Sequence, residues 1–190
     1  MTKHQLREFN IQKRLLLSET EYTTFNIQLS NNFFMAVDLA GIKTIHVFIP
    51  IKKNREPDTR LIIERIKTEF SNINLVVPRI KYQTDELEHV FFEGEQQLEE
   101  NKWGIPEPKF GVKAIPQDVD LIIVPLLAFD KVGHRVGYGK GFYDRFLSQC
   151  RKDCKKVGLS FFPPISKIDD IDTYDQTLNM VITPDEIFNF

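Results

Sequence analysis

One stretch, residues 120–144, constrains this chain more than any other. It opens with Asp120 and an unbroken apolar run, Leu121-Ile-Ile-Val124, closed by Pro125. A run so short and so apolar fits a strand buried on both faces of a mainly parallel sheet. Gly133, Gly137, Gly139 and Gly141 follow, and then a helix-like segment from Tyr143. Strand, glycine loop and helix start together make a phosphate site. The first N–H groups of a helix lack internal partners, and its dipole favours an anion there. Glycine turns at positive φ and lets the backbone approach closely. The loop differs from both common fingerprints. Gly137-Tyr-Gly-Lys-Gly141 reads G-x-G-x-G, not G-x-G-x-x-G, and Lys140 precedes a glycine where the mononucleotide loop has Ser or Thr. Arg135 and Lys140 add positive charge, and Asp144 adds a carboxylate. That combination suits a polyphosphate whose charge is shared with Mg²⁺. The competing interpretation is a flexible surface loop with scattered charges. Alternate glycines between an apolar strand and a helix weigh against it.

The rest of the composition sets bounds. At 190 residues the expectation is one domain, 1–190, with room for a substantial core. The net charge of −2 argues against a dedicated nucleic-acid binder. No apolar run approaches membrane length, and the N-terminus lacks a signal region. The expectation is a soluble, cytoplasmic protein, a monomer, with no membrane or nucleic-acid partner. Cys150 and Cys154 are spaced C-x-x-x-C, which suits one helical face better than a metal knuckle, and they read as reduced thiols. His4, His46, His89 and His134 form no ligand pattern.

Taken in order, residues 3–17 predict a helix with Leu6, Phe9, Leu16 and Leu17 on one buried stripe. Lys3 and Arg7 are neighbours on it, either as a solvated face or as a pair that shares an anion. Ser18-Glu-Thr-Glu21 is a capping box for a second helix running to Ala40, with Gly41 as its stop. Thr44 to Pro50 reads as a strand, with Glu56 in the loop beyond it. Asp58 or Thr59 then caps a helix with Leu61, Ile62, Ile66 and Phe70 inward. Ile73 to Pro78 reads as a strand ending at Arg79, and Glu88 to Phe92 as a short edge strand. Residues 94–101 suggest a short helix, followed by a proline-rich turn holding Trp103, the single tryptophan. Lys155 to Phe162 and Asn179 to Thr183 read as strands around an acidic loop, in which metal binding and plain solvation compete. Strands alternating with helices predict an α/β fold, a mainly parallel sheet flanked by helices in a Rossmann-like three-layer arrangement.

The stretch from Asp120 to Leu147 resembles the signature of the 5-formyltetrahydrofolate cyclo-ligase (methenyltetrahydrofolate synthetase) family. The resemblance is carried by Ala128-Phe-Asp130 and Gly133-His-Arg-Val-Gly-Tyr-Gly-Lys-Gly-Phe-Tyr-Asp144. It extends to Lys3-x-x-x-Arg7, to Phe48-Ile-Pro-Ile with Glu56-Pro-Asp-Thr59, to Trp103-Gly-Ile-Pro-Glu-Pro108, and to Asp175 with Thr183. In order and spacing it covers nearly the whole chain. It departs from the pattern at Phe142, where the family has Tyr, at Tyr138, where Arg is frequent, and at Asn179, where the family has Asp.

The resemblance implies ATP-dependent conversion of 5-formyltetrahydrofolate to 5,10-methenyltetrahydrofolate, with ADP and phosphate released. ATP would act as co-substrate and Mg²⁺ as its counter-ion. The implied ATP-binding set is Lys3, Arg7, Arg135, Val136, Gly137, Tyr138, Gly139, Lys140, Gly141, Phe142 and Tyr143, with Lys140 and Arg135 catalytic. Ile49, Glu56, Trp103, Tyr138 and Phe142 would hold the folate, and Asp144 and Asp175 the metal. A folate or nucleotide sensor without turnover is the alternative, and a related α/β enzyme on a sugar phosphate or acyl-CoA is a third reading that rests on fold analogy.

Overall fold

The computed structural model describes residues 1–81, 83–84, 86–101 and 104–190. The helices are α1 (Lys3–Leu15), α2 (Glu19–Ala36), α3 (Arg60–Glu69) and α4 (Phe142–Gln149). The strands are β1 (Thr44–His46), β2 (Asn74–Lys81), β3 (Glu86–Phe91), β4 (Leu98–Glu100), β5 (Pro106–Pro108) and β6 (Lys113–Ala114). They continue as β7 (Leu121–Pro125), β8 (Ala128–Phe129), β9 (Arg135–Val136), β10 (Lys155–Leu159), β11 (Met180–Ile182) and β12 (Ile187–Asn189).

One eight-stranded sheet runs in the order β12-β11-β10-β7-β1-β2-β3-β6. Its middle, β11-β10-β7-β1-β2, is parallel, and β12, β3 and β6 add antiparallel margins. The expected α/β sheet flanked by helices is therefore what the chain builds. β7 behaves as its sequence demands. Leu121 and Ile123 enter a core with Ile62, Ile63 and Ile66 of α3 and Phe33 of α2. Ile122 and Val124 enter a second core with Phe146 and Leu147 of α4. The two-residue period of a strand thus feeds both faces at once. From β1 the chain steps outward to β2, then returns past β1 to β7, so the order reverses between β1 and β7. Open α/β sheets place ligands outside the carboxyl ends of the strands at such a reversal.

Several local expectations are corrected. The Ser18 capping box forms, but α2 ends at Ala36, before Ala40. The Asp38 carboxylate accepts the Ala40 N–H at 2.9 Å, a local turn that competes with further helix. In α3 the inward residues are Ile62, Ile63 and Ile66, whereas Leu61 is exposed. β2 does not stop at Pro78 but runs to Lys81, paired with β3. Its pairing with β1 covers only Asn74 to Val76, so the proline, which lacks an N–H, lies where β2 no longer needs that neighbour. Arg79 sits within this hairpin and bonds Glu88 at 2.6 Å. Instead of a helix, residues 94–101 form a single 3₁₀ turn and β4. α4 ends at Gln149 and Cys150 leaves it extended, so the two cysteines do not share a helical face.

Gly158 of β10 has no room for a side chain. A Cβ there would stand 2.5 Å from Leu126 and 2.8 Å from Leu178. Gly158→Ala should lower unfolding stability by about 1–3 kcal/mol, the usual cost of overpacking, seen as a lower urea midpoint at unchanged slope.

Under α4, His46 lies in contact distance of His89 and Phe146, with ring centroids 5.1 and 4.5 Å away. Both ring nitrogens of His46 are buried without a hydrogen-bond partner among the described residues. Burial, aided by His89, holds His46 well below its ordinary value. Burial lowers His89 to about 4, against the opposing charge of Glu88. The unfolded chain, with histidine near 6.5, binds protons that the folded chain refuses. Stability should therefore fall as pH drops from about 6.5 towards 4, by about 1.4 kcal/mol per pH unit for each histidine. Urea unfolding at pH 7 and pH 5 measures the slope, and His46→Phe should roughly halve it.

Candidate active site

Where β7 ends, the chain turns through Leu126 and Leu127 into the β8–β9 hairpin, which aligns Ala128 with Val136. Asp130 organises the hairpin turn, accepting the N–H groups of Val132 and His134 at 3.1 and 3.0 Å. The glycine loop then leads into α4. Gly141 is the N-terminal cap of α4, at φ 66°, and contributes no side chain to cover the N–H groups of the first turn. Gly139 has φ 87°, and a Cβ on it would lie 3.0 Å from the Arg7 guanidinium carbon. The positive φ favours glycine there, and the Arg7 guanidinium packs close against it.

α1 lies across this loop. Its Thr2 capping box forms, and its buried residues are Leu6, Asn10 and Arg14. Phe9 and Leu16, expected on the buried stripe, are 56% and 82% exposed. The reason is that α1 packs over a polar crevice, not over a greasy face. Leu6 alone meets a small apolar cluster with Ala128, Val136 and Ile168. Arg7 donates through Nε to the Gly137 carbonyl at 2.9 Å. Lys3 donates through Nζ to Asp175 Oδ2. Arg14 donates to the Leu126 carbonyl at the end of β7 and is 1% exposed.

Two further groups complete the constellation. Arg135 donates to Asp144 Oδ1 at 2.8 Å and to the Gln176 carbonyl. The Gln176 N–H bonds the same Asp144 oxygen at 3.1 Å, which draws the acidic loop against α4. Glu56, 3% exposed, accepts the Ile51 N–H at 2.6 Å and the Tyr138 hydroxyl at 2.6 Å. Tyr22 holds the Glu56 carbonyl at 2.7 Å.

The electrostatics follow from burial and pairing. Burial raises Glu56, opposed by the Ile51 N–H, the Tyr138 hydroxyl and the Arg14 charge. Burial lowers Arg14, opposed by Tyr138 and Glu56. Burial and the Glu56 charge raise Tyr138. Tyr143 is raised by burial and by Glu56, with Arg135 opposing, and its hydroxyl has no partner among the described residues. Asp175 is pushed up by burial, yet the hydrogen bonds from Lys3 and the Asp172 N–H and the Lys3 and Arg135 charges hold it below its ordinary value.

Most of the expected residues converge. Lys3, Arg7, Arg135, Gly137, Gly139, Asp144 and Asp175 form one connected set. Glu56 and Tyr138 join it through the loop. Lys140 is exposed on the loop, and its carbonyl accepts from Arg145 at 3.1 Å. Val136 is buried and contributes backbone, accepting the Leu127 N–H at 2.7 Å. Ile49 is buried within the core shared with α3. Phe142 faces a cavity of about 250 Å³ with His89, Lys113 and Arg145, and Ile49, Glu56 and Tyr138 are not among its walls. Trp103 lies outside the described residues. Arg14, Asn54 and Gln176 were missed. For Arg14 a signal existed, since Leu6, Asn10 and Arg14 recur at helical i, i+4, i+8 spacing.

Arg14→Met should cost about 1–3 kcal/mol, because the Leu126 carbonyl is left buried without its donor. Chemical unfolding measures it, and an unchanged midpoint would deny Arg14 that role.

Comparison with known proteins gives the family and the fold. The family model described as the 5-formyltetrahydrofolate cyclo-ligase family matches residues 1–184. The chain is 28% identical over 184 residues to a 5-formyltetrahydrofolate cyclo-ligase of Mycoplasma pneumoniae, covering 96% of this chain and 98% of that one. It is 26% identical over 182 residues to the Escherichia coli cyclo-ligase, covering 94% and 98%. The solved structure of Aquifex aeolicus 5,10-methenyltetrahydrofolate synthetase superposes with a TM-score of 0.82 at 28% identity, covering 100% of this chain and 93% of that one.

Proposed function

The chain belongs to the 5-formyltetrahydrofolate cyclo-ligase family, and we propose that it drives the family's ring closure with ATP held on the glycine loop beneath α1. The enzyme converts 5-formyltetrahydrofolate to 5,10-methenyltetrahydrofolate. The observation that carries the ATP site is the convergence of Lys3 and Arg7, from the far end of the chain, on Gly137, Gly139 and Asp175.

The chemistry explains what these residues are for. A formamide oxygen is a poor leaving group. Attack of that oxygen on the γ-phosphorus of ATP forms an O–P bond, breaks the bond to ADP and makes phosphate the leaving group. The neighbouring N10 then forms a bond to the formyl carbon. The C–O bond breaks, phosphate departs with the former formyl oxygen, and N10 loses its proton. Charge must be neutralised on the transferring group, and the attacking nitrogen must be held close. Arg7, Lys140 and the bare N–H groups of the α4 start supply the first. Arg135 supports it by fixing Asp144. Glu56 supplies the second by accepting the amino-pyrimidinone edge of the pterin. Phe142 lines a cavity that includes neither Glu56 nor the glycine-loop residues, so its place at the ATP and folate sites rests on the resemblance alone. Trp103 is retained as a folate wall on the resemblance alone.

The acidic pair fits Mg²⁺. Asp144 engages its partners through Oδ1 and Asp175 through Oδ2. Each thus keeps a second hard oxygen for a metal that prefers carboxylate, water and phosphate ligands. Bound there, the ion would offset phosphate charge.

We also take 1–190 as one working domain, a cytoplasmic monomer that handles small molecules and neither nucleic acid nor membrane. Support comes from one sheet whose strands run from Thr44 to Asn189 and from free Cys150 and Cys154, which suit a reducing compartment. No helix among the described residues is long and apolar enough to cross a membrane.

Purified enzyme with 5-formyltetrahydrofolate and Mg-ATP should generate the conjugated methenyl product, followed by its near-ultraviolet absorbance. Lys140→Ala should lower kcat by about 10²–10³-fold, as loss of a charge aimed at the transition state does. Product formation without nucleotide would overturn the ATP reading, and a wild-type rate in Lys140→Ala would remove that lysine from the chemistry.

A further inference from the structure

We propose that Tyr138 is a latch on Glu56: its hydroxyl occupies the folate-facing carboxylate until nucleotide on the glycine loop draws it away. The inference rests on the reading of Glu56 as the anchor for the pterin edge. Glu56 has its Oε2 engaged by the Ile51 N–H, so Oε1 is the oxygen that the Tyr138 hydroxyl takes, at 2.6 Å. Asn54 steadies the same hydroxyl at 3.4 Å. Glu56 is 3% exposed and Tyr138 is 37% exposed, so Tyr138 is the solvent-facing member of the pair. A ligand N–H aimed at Oε1 competes with the phenol hydroxyl for that oxygen, while the Ile51 N–H stays on Oε2.

The latch is built to move. Tyr138 stands between Gly137, around whose missing side chain there is open space, and Gly139 at positive φ. The strut on this segment is Arg7, whose Nε holds the Gly137 carbonyl at 2.9 Å and whose guanidinium packs against Gly139. Phosphate taken up by Arg7 competes with that strut and loosens the loop around Tyr138. Nucleotide binding would then uncover Glu56 through the chain Arg7, Gly137, Tyr138. The consequence is positive coupling between ATP and folate, and by linkage it is reciprocal. Until nucleotide arrives, the apparent folate affinity is reduced by the fraction of molecules that are unlatched.

The test is calorimetric titration of the purified enzyme with 5-formyltetrahydrofolate, alone and with a saturating non-hydrolysable ATP analogue and Mg²⁺. Wild type should bind folate about tenfold tighter with the analogue, the size of one hydrogen bond to a charged group. Tyr138→Phe, which removes only the hydroxyl, should bind folate about tenfold tighter without the analogue and gain little from it. A phenol that contacts substrate, or merely braces the loop, predicts the opposite sign, and weaker or unchanged binding in Tyr138→Phe overturns the latch. Glu56→Gln separates the two readings. Wild-type folate affinity in Glu56→Gln removes the anchor and the latch with it. Lost affinity there, together with no gain in Tyr138→Phe, leaves the anchor and removes the latch alone.

Discussion

Positive charge gathered in one crevice repels itself, and the fold is arranged to hold that charge on oxygen partners. Lys3 rests on Asp175, Arg135 on Asp144, and Arg7 on the Gly137 carbonyl. Arg14, the most deeply buried of them, rests on the Leu126 carbonyl within the field of Glu56. Each of these cations has an oxygen partner, and Arg135 has two, Asp144 Oδ1 and the Gln176 carbonyl. A buried cation without such an oxygen would cost several kcal/mol. The same oxygens hold the cations in place against their mutual repulsion, so the crevice is preorganised. Lys140, exposed at the loop tip, is in water that screens it, and it needs no such arrangement.

This requirement explains the placement of α1. An N-terminal helix of ordinary amphipathic design would cover core, but the face that α1 buries is Leu6, Asn10 and Arg14. Asn10 turns its amide back to the Leu6 carbonyl at 2.9 Å, satisfying itself within the helix. The helix therefore acts as a charged lintel over the β1–β7 reversal, with Lys3, Arg7 and Arg14 successively along it. Beneath it the sheet supplies rigidity: β7 is fully buried from Leu121 to Val124, so the loop that follows is held by two cores at once.

What was legible in the sequence and what was not divide along physical lines. β7 was legible because a strand buried on both faces leaves no ambiguity about its period. The glycine loop was legible because backbone demands, positive φ at Gly139 and Gly141, write themselves as residue identity. The Ser18 box was legible because its partners are three residues apart. The α1 stripe was misread because apolar spacing reports burial only where the covered surface is apolar. The course of β2 past Pro78 depended on which neighbour pairs with it, a tertiary fact that no local pattern carries. Arg14 and Gln176 were missed for a related reason, since both act on partners more than thirty residues away. Phe142 is expected at the folate because flat rings suit flat ligands, and in the structure it lines the cavity beside His89, Lys113 and Arg145.

The departures from the family pattern can now be ranked by what each residue touches. Asn179 is a matter of sheet construction: its Oδ1 accepts the Lys156 N–H at 2.8 Å, and its own N–H reaches the Lys156 carbonyl at 2.9 Å, tying β10 to the start of β11. A carboxylate there would accept the same bond, so the exchange of Asp for Asn leaves Asp144 and Asp175 as the acidic pair. Phe142 lacks a hydroxyl, and the Arg145 guanidinium carbon lies 5.5 Å from its ring, so the exchange keeps a flat, half-buried ring beside a cation. Tyr138 is the departure with consequence. An arginine at that place would add one more positive charge to a crevice that already holds Lys3, Arg7, Arg14 and Arg135. A tyrosine meets the Glu56 carboxylate with a neutral donor, and it leaves the balance of the crevice to Arg14, which stands on the other side of Glu56 in sequence and close enough to share its field. Arg14 thus acts on Glu56 from α1, a helix that the loop itself helps to hold through the Arg7–Gly137 bond.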